Sequence, residues 1–267
     1  MVSSFPPDYD DLTVYTRDRR CENYFNRGWC FCEALWATMT KDNTLVLDLG
    51  KDTGKKAGFF GLRAQCQADR RPPVLPASFS EELQKKWFSH APTDRPRVEE
   101  LYTKAFSERF THNTKLDYAR LSWANREARA VAAVLRAGAV PNLRELLLGM
   151  NRIGDSGTAC LAEAFGSGVT PRLSRLSLGI NRVGDAGVAS LAEAFGRSGA
   201  TPQLAQLWLQ NNQIADAGAL ALAEALPRIP SLTDLGLGGN VAIKTAAKDV
   251  LRRAWGSRMS GGYGLDV

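Results

Sequence analysis

One spacing recurs four times in the second half of this chain. Leu143, Leu146 and Leu148 are followed by Asn151, and Leu173, Leu176 and Leu178 by Asn181. Leu204, Leu207 and Leu209 precede Asn212, and Leu232, Leu235 and Leu237 precede Asn240. The copies start 30, 31 and 28 residues apart. A period of that length is one supersecondary unit, too small to bury its own apolar face. Such units reach stability by stacking, so the pattern predicts a solenoid.

Each residue type in the pattern has a physical task. Alternating leucines, such as Leu146 and Leu148, point to one side of a short strand. The asparagine closes the turn after the strand, where its amide can satisfy backbone groups that no neighbouring strand reaches. The segments Ile153–Asp155, Val183–Asp185 and Ile214–Asp216 follow at equivalent places. Their aspartates are expected to cap the helices they precede. Gly157, Leu161 and Phe165 then fall four apart, as do Gly187, Leu191 and Phe195, and Gly218, Leu222 and Leu226. Steps of four mark one helical face, with the glycine expected to let helix and strand approach closely. Pro141, Pro171, Pro202 and Pro230 stand ahead of the strands and favour extended chain.

Residues 141–255 resemble the leucine-rich repeats of ribonuclease inhibitor and related regulators. That resemblance implies an α/β solenoid with parallel strands on the concave side and helices on the convex side. It also implies protein binding without catalysis. Upstream, Tyr118, Leu121 and Trp123 read as a degenerate strand, with Val131, Val134 and Leu135 on the helix of an N-terminal cap. Arg126 then stands where the asparagine would be. Downstream, Val250, Leu251 and Trp255 oppose Lys244, Lys248 and Arg252 on an amphipathic closing helix, after which Gly261–Gly264 read as a loose tail.

The strand residues between the leucines are expected to face the concave side. They are Glu145, Leu147 and Gly149; Arg175, Ser177 and Gly179; Gln206, Trp208 and Gln210; and Asp234, Gly236 and Gly238, with Arg120, Ser122 and Ala124 in the cap. A large aromatic among amides, glycines and an arginine has the composition of a binding hot spot. The expected partner-binding set is therefore Glu145, Leu147, Arg175, Ser177, Gln206, Trp208, Gln210 and Asp234, centred on Trp208 and Arg175. Asn151, Asn181, Asn212 and Asn240 are assigned to structure.

The first 115 residues read as an irregular α/β segment (1–75) and a helical spacer (76–115), ahead of the solenoid (116–255) and tail (256–267). Helices are expected over residues 30–39, 80–88 and 95–110, a strand over 44–49 and a linker over 67–76. Gly50–Lys56 approximates a phosphate-binding loop, but one residue is missing between the glycines and Lys56 replaces the hydroxyl; a basic turn fits better. Asn23–Glu33 resembles the W-C-x-x-E segment of Toll/interleukin-1-receptor domains, whose enzymatic members use the glutamate in NAD cleavage. The resemblance spans about ten residues and makes Glu33 the residue of an alternative, NAD-consuming or NAD-sensing reading. The string from Tyr24 to Glu33, with the helix-rich spacer and repeats, also resembles uncharacterised repeat proteins of protists and algae.

Composition narrows the function classes. The net charge of +6 is scattered rather than gathered on one face, which disfavours nucleic acid. No apolar run approaches the ~18 residues needed to span a membrane, and Met1–Asp11 lacks the pattern of a secretory signal. A cytoplasmic location is the expectation. Five cysteines, with Cys30 and Cys32 too close for usual zinc spacing, and only two histidines argue against a metal site. The reading is a non-enzymatic protein-interaction module with no cofactor and an unidentified protein partner. Weak self-association through an open edge of the stack is a further expectation.

Overall fold

The computed structural model describes residues 26–40, 70–197, 199–256 and 264–267. It divides into two compact units, Met1–Arg109 and Phe110–Val267. The second unit is the solenoid. Six strands lie in the order of the chain: β1 (Lys115–Asp117), β2 (Glu145–Leu147), β3 (Arg175–Ser177), β4 (Gln206–Trp208), β5 (Asp234–Gly236) and β6 (Leu265–Asp266). All five pairings are parallel. Parallel neighbours need a crossover, and helices α4 (Asn125–Arg136), α5 (Asp155–Gly166), α6 (Asp185–Phe195), α7 (Asp216–Ala225) and α8 (Thr245–Trp255) supply it. The repeat leucines are buried, with Leu161, Phe165, Leu191, Phe195 and Leu222 behind them.

The asparagines form the expected ladder. Asn181 Nδ2 donates to Leu178 O in its own repeat and Leu148 O in the preceding one, both at 2.9 Å. Its Oδ1 accepts from Ile153 N at 3.0 Å. Asn151, Asn212 and Asn240 likewise bridge neighbouring units.

The aspartates act differently from expectation. Asp155 is the first residue of α5, and its N-cap Gly154 makes no side-chain cap bond. The carboxylate instead reaches into the next repeat, where Oδ1 accepts from Gly184 N at 2.6 Å and Gly187 N at 3.0 Å. Asp185 does the same for Ala215 N and Gly218 N, and Asn125 for Gly154 N and Gly157 N. The starts of α5 to α8 are thus capped from the preceding repeat, whereas α4 is capped by its own Glu127. This corrects the role of the glycines as well: a Cβ at Gly187 or Gly218 would sit 2.7 Å from the visiting oxygen. The glycine makes room for the cap.

Both ends of the stack differ from the reading of the sequence. The capping strand is Lys115–Asp117, with Leu116 opposite Leu146. Tyr118 therefore matches Leu148, and Leu121, not Arg126, stands in the asparagine's place. Leu121 N and Trp123 N donate to Asn151 Oδ1 of the next unit, so the cap needs no asparagine of its own. At the other end α8 does not close the sheet. Residues 264–267 return as β6, with Leu235 N bonded to Gly264 O and Leu237 N to Asp266 O. Residues 261–263 of the expected tail lie outside the described residues.

In the first unit, helices α1 (Gly28–Thr40), α2 (Pro76–Gln84) and α3 (Ala91–Thr111) share aromatic contacts. Phe79 stacks on Phe31 at 5.5 Å and on Tyr102 at 3.8 Å, and Tyr102 donates to Val74 O. Helices expected in a separate spacer therefore belong to this core. Helix α2 starts at Pro76, not Ser80: proline at the first helical position has its φ preset and no N–H to leave unpaired. Helix α3 starts four residues before Arg95 and carries Pro96 inside it. The expected strand at 44–49, the glycine–lysine turn at 50–56 and residues 67–69 of the linker lie outside the described residues.

Candidate functional site

Parallel in-register pairing puts the outward residues of successive strands side by side. Lys115, Glu145, Arg175, Gln206 and Asp234 form one row. Asp117, Leu147, Ser177, Trp208, Gly236 and Asp266 form the next. Seven of the eight expected binding residues are therefore brought together on one face; Gln210 lies outside these pairings, against Gly179.

Five of these side chains are engaged with each other. Arg175 Nη1 lies 3.3 Å from Glu145 Oε2, and its Nε donates to Gln206 Oε1. Gln206 Nε2 and Trp208 Nε1 each donate to Asp234 Oδ2 at 3.3 Å. The guanidinium of Arg175 sits 5.3 Å from the centre of the Trp208 ring, a cation–π geometry. Four strands are thus linked by one polar relay with the tryptophan locked inside it.

This arrangement refines the sequence reading. Trp208 is half-buried, not freely exposed. Asp234, at 3% exposure, is an anchor beneath Gln206 and Trp208 rather than an accessible surface, and Ser177 is 8% exposed. Gln210 lies across Gly179, where a Cβ would meet its amide at 2.7 Å, and its Oε1 is buried without a hydrogen-bond partner. The cap's contribution is Lys115 and Asp117, not Arg120, Ser122 and Ala124. The far edge adds Asp266, which the sequence reading missed. Both had a signal: Leu116 and Tyr118 stand 30 residues before Leu146 and Leu148, and Leu265 and Val267 stand 30 after Leu235 and Leu237.

The first unit offers a weaker constellation. Glu33 is exposed on α1, while Cys32 is buried and its thiol is pushed up to about 11, by burial first and by Glu33 second. Trp29 is 40% exposed; the buried face of α1 is Phe31, Cys32, Ala34, Leu35 and Met39. A cavity of about 340 Å³ is lined by Asn26, Gln84, Lys85, Lys86, Trp87, Phe88, Ala91 and Arg95, without Glu33. Residues 23–25 of the W-C-x-x-E string lie outside the described residues. Among the described residues no group of three or more His, Cys, Asp or Glu could hold a metal ion, and no helix is long and apolar enough to cross a membrane.

A family model described as Leucine Rich repeat matches residues 141–162 and 206–223. No curated protein matches the chain. Among solved structures, actin-binding site 2 of leiomodin-1 aligns with a TM-score of 0.44 and 14% identity, over 57% of this chain and 86% of that one. An internalin of Listeria monocytogenes aligns with a TM-score of 0.28 and 19% identity, over 55% of this chain and 45% of that one.

Proposed function

We propose that this leucine-rich-repeat protein is a non-enzymatic interaction module that binds a protein partner on the concave face, around Trp208 and Arg175. The repeats suit the ribonuclease-inhibitor type, because a full helix follows each of β1 to β5. The observation that carries the reading is the fixation of Trp208. Its ring is held from one side by Arg175 and its N–H by the buried Asp234. A large amphipathic side chain already held in one rotamer loses little entropy when a partner covers it, and such anchors dominate interface energies. Six strands at about 4.8 Å give a face roughly 24 Å wide. Leu147 lies in the same row as Trp208.

Affinity capture from the source cell tests this, with the full chain and with Trp208→Ala combined with Arg175→Glu. A protein retained by the native chain and lost by a variant of matched thermal stability supports the reading. Retention of the same proteins by both overturns it.

A further inference from the structure

The turns after β1 to β5 each hold a residue in the left-handed backbone region at the same place, and the first turn holds a second at Ser122. The residues at the shared place are Arg120, Met150, Ile180, Asn211 and Gly239, with φ of 61°, 60°, 57°, 53° and 76°. Asn211 and Gly239 are residue types this conformation accepts readily. Met150 and Ile180 are not, and isoleucine, branched at Cβ, suits it least. Packing does not explain them either, since their side chains are 43% and 46% exposed. They sit in adjacent units, with Asn151 N bonded to Ile180 O. Neighbouring apolar side chains that cost local strain and add little burial mark a contact surface.

The charge beside them indicates what kind of partner fits. Arg120 Nε lies 3.0 Å from Met150 Sδ. Arg152 and Arg182, two residues beyond each apolar residue, are exposed. Among the described residues none of these three arginines joins an ion pair. In the next two units the corresponding pairs are Asn211 with Gln213 and Gly239 with Val241, which carry no charge. The cationic–apolar ridge is confined to the end of the solenoid nearest β1.

We propose that the ridge formed by Arg120, Met150, Arg152, Ile180 and Arg182 binds an extended peptide segment that alternates acidic and apolar side chains. The apolar side chains would cover Met150 and Ile180, and the carboxylates would pair with guanidinium forks. A second copy of this ridge is the wrong partner, because like charges would meet. The proposal rests on the reading of the solenoid as a protein-binding module and adds a second surface with its own chemistry.

The test is fluorescence anisotropy on the full chain with the labelled peptide Gly-Ser-Glu-Leu-Asp-Leu-Glu-Gly-Ser. Control peptides carry lysine for the acids or serine for the leucines. Met150→Asn with Ile180→Asn is expected to weaken binding at least tenfold. The same variant should raise Tm by about 2–4 °C, because asparagine relieves the backbone strain. Arg152→Glu with Arg182→Glu should also weaken binding at least tenfold, and Trp208→Ala should leave it unchanged. Equal binding of the lysine peptide, no binding to the native chain, or a fall in Tm for the asparagine variant overturns the proposal. Loss of binding in Trp208→Ala moves the peptide to the concave face, which sinks the ridge and leaves the module reading standing.

Discussion

Two polar rows cross the same four repeats, one in the turns after the strands and one on the concave face. In the turns, Asn151, Asn181, Asn212 and Asn240 bond almost entirely to backbone. On the face, Glu145, Arg175, Gln206, Trp208 and Asp234 bond to one another's side chains. The difference separates what holds the stack from what shapes its face. A side chain bonded to buried backbone satisfies groups that folding cannot leave unpaired. A side chain bonded to other side chains at a half-exposed surface relieves no such debt. The relay shapes a surface, whereas the ladder holds the stack.

That contrast can be broken by substitution. Asn181→Ala orphans Ile153 N–H and removes a donor from Leu148 O and Leu178 O, at an expected cost of about 3 kcal/mol. Urea unfolding of the full chain measures it, and a cost below about 1 kcal/mol would erase the distinction between the two rows. Asp155→Ala uncaps the next helix at Gly184 and Gly187, at about 1–2 kcal/mol. Gly187→Ala should then cost less in the Asp155→Ala background than in the native chain, since the nearest clashing atom is gone. Full additivity would contradict the account of these glycines. Arg175→Ala should change stability by less than about 1 kcal/mol, because its pair with Glu145 is about one-third exposed on both sides.

The smallest expected effect concerns the first unit. The Cys32 thiol is raised to about 11, so the folded state holds its proton between pH 9 and that value while the unfolded chain releases it. Stability should therefore decline as pH rises through that window. At pH 8 iodoacetamide should modify Cys30 and Cys160, both partly accessible, well before Cys32. Mass-spectrometric mapping showing equal rates would contradict the burial of Cys32.

The repeat was legible because strict spacing, leucine by leucine, encodes strand, turn and stacking at once. Burial of every repeat leucine and the asparagine ladder follow directly from it. Less legible were relations between units. The sequence places Asp155 beside α5, and nothing local reveals that its carboxylate serves α6. The cap was read five residues out of register because Trp123 resembles a strand residue, whereas Leu116 and Tyr118 carry the period. The last strand is hidden in the sequence because three glycines, Gly261, Gly262 and Gly264, stand just before Leu265. For the proposed binding face, spacing carries the membership of the two rows, but the burial of Asp234 and the placement of Arg175 over Trp208 arise from side-chain geometry that spacing does not carry. Packing likewise gathered the expected spacer helices into the first unit's core, whereas the start of α2 at Pro76 is a local signal that the sequence does carry.

Site-specific photocross-linking tests the central claim most directly. A photoreactive phenylalanine analogue at Leu147, in the row of Trp208, is compared with one at Leu220, exposed on α7. The account predicts that, in extract of the source cell, the probe at position 147 forms a covalent adduct with a protein and the probe at position 220 does not. An adduct formed only from position 220 would contradict binding on the concave face.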